Sequence, residues 1–345
     1  MDHPLNPVFG EQGLVFLGIA AVPDAESFAD QRQRYHQWLG EHRHGTMAFL
    51  ERHEAGKYDP EALLIGTRSV MVAALPYHQV RPEPKEATGQ IARYAWGRDY
   101  HKVLLSKLKR VEQQLAASSP ADRWRCFTDT APLDERHWAA LTGSTFVAKN
   151  TLAINHNLGS WFLLGEILTT QAMEPTGPGR HASCPSGCSR CRQACPTGAL
   201  DAEGRMDARK CLAYLTIEHE GIIEDALKPK IGNWLFGCDL CQEVCPFNLR
   251  VQTTTEAEFL TWKAGPELSL APLLILDATN FTRRFAGSPV HRAGRNGLVR
   301  NASLVAANTG QTGLLPLLEP LLTDGDAGVA DAAKWAVSRL QRDIR

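Results

Sequence analysis

CSRCRQACP (188–196) and CDLCQEVCP (238–246) repeat one pattern, CxxCxxxCP, within a short span of the chain. A CxxC turn presents two thiolates to neighbouring irons of a cubane. The cysteine before proline opens a short helix and faces the other cluster in two-cluster ferredoxins. Proline suits that position because a helix start needs neither its missing N–H nor a free φ. Two four-iron clusters require eight thiolates, and Cys184, Cys188, Cys191, Cys195, Cys211, Cys238, Cys241 and Cys245 supply them. The crossed rule assigns Cys184, Cys188, Cys191 and Cys245 to one cluster and Cys195, Cys211, Cys238 and Cys241 to the other. Cys184 is the irregular member, with three residues rather than two before Cys188. Paired CxxC motifs also signal zinc ribbons; a third cysteine followed by proline at the same offset in both halves favours iron–sulfur. The ninth cysteine, Cys126, sits in a strand-like stretch and reads as an inert buried thiol.

Outward from this core, 345 residues exceed one ordinary domain. N-terminal to it, GLVFLGIAAV (13–22), SVMVAALPY (69–77), WRCFTDTAP (124–132) and SWFLLGEIL (160–168) read as strands. QRQRYHQWLGEH (31–42) and HKVLLSKLKRVEQQLAAS (101–118) have helical periodicity between them. This alternation predicts an α/β domain over 1–175. Pro175, Gly177, Pro178 and Gly179 mark a linker, followed by a ferredoxin-like double-cluster domain over 176–250. Over 251–345, GLVRNASLVAAN (297–308) and GVADAAKWAVSRLQ (328–341) flank LLPLLEPLLTDGD and predict an α-helical, HEAT-like region.

With Lys+Arg 37 against Asp+Glu 38, overall charge selects no partner. From Arg283 to Arg300, however, Arg283, Arg284, Arg292, Arg295, Arg300 and His291 occur without one Asp or Glu, a local phosphate footprint that a solvated basic loop would also produce. MDHPLNPVFG has neither a basic n-region nor an apolar h-region, and Glu166 interrupts the most apolar later stretch, so neither secretion nor a membrane span is expected. Eight clustered cysteines then fit metal-bound thiolates in a reducing cytoplasm. Neither GxGxxG after a strand nor GxxxxGK[ST] is present, so no dinucleotide or P-loop site is signalled.

RYAWGRDYHKVL (93–104), FTDTAPLDER (127–136), KNTLAINHNLGSWFLLGEIL (149–168), CSRCRQACPTGAL (188–200) and IGNWLFGCDLCQEVCPFN (231–248) together resemble the epoxyqueuosine reductase family. The resemblance implies cobalamin beside one 4Fe-4S cluster, reduction of the epoxide of epoxyqueuosine in a tRNA anticodon loop, an external electron donor, and a HEAT-like part that helps hold tRNA. It implies that Asp129 donates a proton to the opening epoxide, with Asp134 and Glu135 as weaker candidates. Arg52, Tyr94, Asp99, Tyr100, His101, Lys149, Asn150 and Thr151 match its corrinoid-facing segments. A DxHxxG cobalamin-ligand motif is missing, since residues 51–56 read ERHEAG; a corrinoid would bind without that lower histidine. The family's GLGWxGKN-like string is replaced by GSTFVAKN (143–150). A cobalamin/iron–sulfur reductase acting on a small molecule, such as a reductive dehalogenase, and a non-catalytic electron carrier are the competing readings.

Overall fold

The computed structural model describes residues 3–22, 28–54, 56–177, 183–201 and 204–343. Strands β1 (Val15–Ala21), β2 (Ser69–Pro76), β4 (Trp124–Phe127) and β7 (Phe162–Thr169) form one sheet in the order β1-β2-β7-β4. Every pairing in it is antiparallel, so the expected mixture of strands and helices is present but is not built from parallel crossover units. Alternating strand and helix signals give the elements, not their direction, and side-chain pattern is the same for either sense on a two-sided sheet.

The sheet is covered on both faces. Met71, Ala73 and Leu75 of β2 pack with Val103, Leu104, Leu108 and Val111 of the helix Tyr100–Ser118, whose first turn is capped by Asp99. Val70, Val72 and Ala74 face the other way, against Trp138 and Ala139 of the helix Glu135–Leu141. This is the period-two division of a strand buried on both sides. Gly165 lets the long helix approach, since a Cβ there would lie 2.6 Å from Leu108 Cδ1.

The strand expected over 124–132 stops at Phe127. Residues 128–134 form a turn in which Asp129 takes φ +36°, and that turn aims the side chain. GSTFVAKN forms β5 (Thr145–Val147), which pairs with β6 (Ala153–Asn155); Lys149, Asn150 and Thr151 lie in the connection, with Thr151 at φ +67°.

A second sheet joins all three segments of the chain. β3 (Thr88–Ile91) pairs in parallel with β8 (Trp234–Phe236), between the two cysteine motifs, and antiparallel with β9 (Glu267–Ser269). One hydrophobic core extends from Ile91 through Leu235 to Leu340. The boundary drawn at residue 250 therefore crosses continuous packing. The helices Gly294–Asn308 and Ala327–Asp343 occur where the pattern predicts them, separated by short turns of helix. Asn301 anchors the first by donating to the Thr216 and Leu235 carbonyls at 2.8 and 2.9 Å. Of the linker residues, Pro178 and Gly179 lie outside the described residues, while Thr176 still bonds to the Ile19 and Thr142 carbonyls. No helix among the described residues is long and apolar enough to cross a membrane.

Candidate functional site

The structure brings the eight candidate ligand cysteines together in two groups. Cys184, Cys188, Cys191 and Cys245 line one cavity, with Lys149, Asn150 and Phe247 in its wall. Cys195, Cys211, Cys238 and Cys241 act electrostatically on one another as the second group. Thus each CP cysteine sits with the cysteines of the opposite motif. All nine cysteines are free thiols. Burial pushes Cys191, Cys211, Cys238, Cys241 and Cys245 upward, so their thiolates need a cation. Burial opposes ionisation of Cys195 too, but hydrogen bonds from Thr197 and the Ala199 amide outweigh it and lower that thiol. Cys126 stands apart, half-buried, donating from Sγ to Glu112 Oε2 at 2.9 Å.

The second motif is tied to the N-terminal segment by charge. Asp239, 1 % exposed, receives Arg93 Nη1 at 2.9 Å and Arg81 Nη2 at 2.8 Å, and Arg93 also reaches Glu243 at 2.7 Å. A buried carboxylate with two guanidinium partners keeps its hydrogen bonds only in this docking.

Asp129 stands on the turn after β4. Its Oδ2 accepts from Tyr100 OH at 2.6 Å and lies 3.0 Å from His101 Nε2, while His101 Nδ1 lies 2.7 Å from Asp99 Oδ1. Tyr100 stacks on His101 at 4.0 Å, and Tyr94 meets Tyr100 edge-on. Burial works against the imidazolium, but the bonds to Asp129 and Asp99 raise His101 to about 9. Surrounding protein disfavours charge on Asp129 as well; hydrogen bonds from His101 and Tyr100 and the nearby Arg292 hold it below the ordinary carboxylate range. At neutral pH the proton of this pair therefore resides on His101, and the half-exposed Asp129 side chain is its outer member.

Asp134, 4 % exposed, is bonded to Tyr58 OH at 3.1 Å and lies 2.8 Å from His137 Nδ1; burial opposes its charge, but His137, Arg136 and Lys57 outweigh it and lower the carboxyl. It organises the turn and has no exposed acid function. Glu135 Oε1 accepts the Asp129 backbone N–H at 2.5 Å.

Lys149, Asn150 and Thr151 lie in the β5–β6 connection, and Arg52 on a separate short helix. Lys149 donates its amide to Cys184 Sγ at 3.4 Å and its ammonium to the Cys188 carbonyl at 3.1 Å, so it touches the first cysteine group. Asn150 Nδ2 is buried without an acceptor among the described residues. Arg136 Nη1 donates to the Thr151 carbonyl at 2.7 Å, joining this loop to the Asp129 turn. Arg52 is exposed at the end of the helix Phe49–Arg52; Arg292 lies over the Phe49 ring at 5.9 Å.

Within the basic stretch, Arg283 and Arg284 are exposed on the helix Ala278–Phe285. Arg292 pairs with Glu218 at 2.8 Å and Arg295 with Asp324 at 2.8 Å, beside a cleft of about 580 Å³. The expectation for Arg300 is corrected. It is 2 % exposed and donates to the Leu215, His219 and Gly221 carbonyls at 2.6, 2.7 and 3.1 Å, closing the end of the helix Leu212–Ile217. Sequence spacing counts cations but does not tell which point inward. Glu166, a lone acid in an otherwise apolar strand, is fully buried, which residue spacing does not foretell.

Residues 184–248 match the family model of the 4Fe-4S double cluster binding domain, and 57–130 match Epoxyqueuosine reductase QueG, DUF1730. An epoxyqueuosine reductase of Xanthomonas campestris pv. campestris is 35% identical over 338 residues, covering 95% of this chain and 93% of that protein. One from Gloeobacter violaceus is 38% identical over 285 residues, covering 81% and 88%. The structure of epoxyqueuosine reductase from Streptococcus thermophilus superposes with a TM-score of 0.87 at 26% identity, over 98% of this chain and 90% of that one. A crystal structure of epoxyqueuosine reductase with an epoxyqueuosine-modified tRNA-Tyr stem loop gives 0.86 at 28% identity, over 97% and 89%.

Proposed function

The chain belongs to the epoxyqueuosine reductase family, and we propose that it reduces epoxyqueuosine to queuosine in the anticodon loop of tRNA. The observation that carries the reading is an exposed carboxylate, Asp129, whose Oδ2 is hydrogen-bonded to an imidazolium and a phenol. Removing the oxygen of an epoxide as water takes two electrons and two protons. Two cysteine groups suited to 4Fe-4S clusters supply an electron path, fed by an external donor. The proton starts on His101: it passes to Asp129 Oδ2 as Asp129 protonates the oxygen of the opening C–O bond, avoiding a free alkoxide. Tyr100 and Asp99 fix the geometry of both.

The donor set suits cobalamin. Tyr94, Tyr100, Asn150 with its orphaned amide, and Thr151 offer hydrogen-bonding groups with little charge, as amide and propionamide side chains require. Arg52, Asp99, His101 and Lys149 complete the proposed wall. When bound, cobalamin supplies the low-valent metal that reduces the epoxide carbon. Arg283, Arg284, Arg292 and Arg295 are the cations assigned to the tRNA backbone. The setting in which this chemistry operates is the cytoplasm. Anaerobic incubation of the reconstituted, reduced protein with epoxyqueuosine tRNA, followed by nucleoside mass spectrometry, should show queuosine accumulating in proportion to enzyme. Unchanged epoxyqueuosine with both clusters and cobalamin loaded would reject the assignment.

A further inference from the structure

Glu166 projects from β7, 0 % exposed, and neither carboxyl oxygen has a donor partner among the described residues. Its register neighbours, Val72 on β2 and Phe127 on β4, offer none. The group it meets is the carboxyl of Glu135, at the start of the helix packed over the sheet. Two carboxylates in contact in a buried setting cannot both ionise; one must keep a proton and donate it to the other. Burial and the neighbouring Asp129 raise Glu135 to about 8, and burial followed by Glu135 raises Glu166 well above its ordinary value. Glu135 is also the acceptor for the backbone N–H of Asp129, the residue with φ +36°.

We propose that Glu166 is a neutral carboxylic acid that donates to Glu135, and that this shared proton is a latch holding the Asp129 turn in its working conformation. Glu166 touches no reacting atom; it is a positioning residue acting through Glu135. The link to turnover rests on Asp129 being the proton donor, whereas the latch itself does not. The charged groups facing the pair are Asp129 and Asp134 from the turn, Arg136 from the helix and Lys57 from the preceding segment. Arg136 and Lys57 favour ionisation of the pair, while the two aspartates oppose it. Loss of the shared proton puts two like charges in contact. They separate, and the Asp129 amide loses its acceptor.

The test uses the cluster- and cobalamin-loaded protein, read by amide hydrogen exchange over 127–131 and by infrared spectroscopy. Wild type should show a protonated-carboxyl band at pH 7 that is missing in Glu166→Gln. Its exchange protection, corrected for intrinsic rate, should fall roughly tenfold per pH unit once the shared proton is lost. Glu166→Gln keeps an N–H donor to Glu135 at every pH and should hold its protection nearly flat to pH 9. Glu135→Gln, which still accepts the Asp129 amide, should do the same and serves if Glu166→Gln folds poorly. Equal pH dependence in wild type and both variants, or no protonated-carboxyl band lost on substitution, overturns the latch. If the exchange and infrared results hold while Asp129→Asn turns over normally, the latch stands and the donor role of Asp129 falls.

Discussion

Asp129 is exposed, carries its positive φ on a turn, and shares a proton with His101. Asp129→Asn preserves the shape and removes the acid; single-turnover reduction should slow by roughly 10²–10⁴-fold with iron and cobalamin content unchanged. His101 has a second consequence, worked out by sign. Its folded value is raised to about 9, so the stability it contributes is fully present below its unfolded value and is lost as pH rises through about 9. The stability difference between wild type and His101→Gln should therefore shrink between about pH 6.5 and 9, and turnover should decline over the upper part of that range. Chemical denaturation at a series of pH values checks the first, and a pH–rate profile the second. Arg300 belongs to another class of residue. Arg300→Met strips donors from three carbonyls and should cost about 2–5 kcal/mol, read as a lower Tm, while leaving the salt dependence of tRNA binding unchanged.

Among elements, the short helix Ala278–Phe285 and the turn after it differ in what their arginines can give. Arg283 and Arg284 are exposed without an ion-pair partner among the described residues, whereas Arg292 and Arg295 must leave Glu218 and Asp324 to engage phosphate. Replacing Arg283 and Arg284 with Ala should weaken tRNA binding and lower the log–log salt slope by about one unit per lost contact. The Arg292/Arg295 double variant should lower it less, because each competing carboxylate already offsets part of the charge. Filter binding over a salt series measures both; equal slopes in all proteins would remove this face from the tRNA contact.

At the scale of the whole molecule, the two cysteine groups are built across the sequence rather than along it. Wild type should hold about eight Fe per chain. Cys245→Ser, although its position lies in the second motif, should damage the same cluster as Cys184→Ser, and Cys195→Ser the other one. Iron analysis with electron paramagnetic resonance of the reduced protein distinguishes the pairs, and full retention of both clusters in Cys184→Ser would make that residue a bystander. The arrangement depends on docking of the N-terminal segment, through Arg81 and Arg93 on Asp239 and through the three-stranded sheet.

What could be read without coordinates was whatever chemistry writes into local spacing. CxxCxxxCP twice gives six thiolates, and Cys184 and Cys211 complete the eight, because cubane ligation demands fixed offsets within tight turns. The helices over 100–118 and 294–308 follow from side-chain period, and FTDTAP resembles a family motif that singles out Asp129. Other features depended on contacts between residues distant in sequence. The antiparallel sense of the main sheet, the β3-β8-β9 sheet drawn from three segments, and the inward turn of Arg300 are of this kind. So is the meeting of Glu166 with Glu135, where burial and a neighbouring acid raise both carboxyls above their ordinary values. Sequence records which groups are present and how neighbours along the chain are spaced; burial and the charge of neighbours in space decide their protonation and partners, and only the tertiary fold sets those.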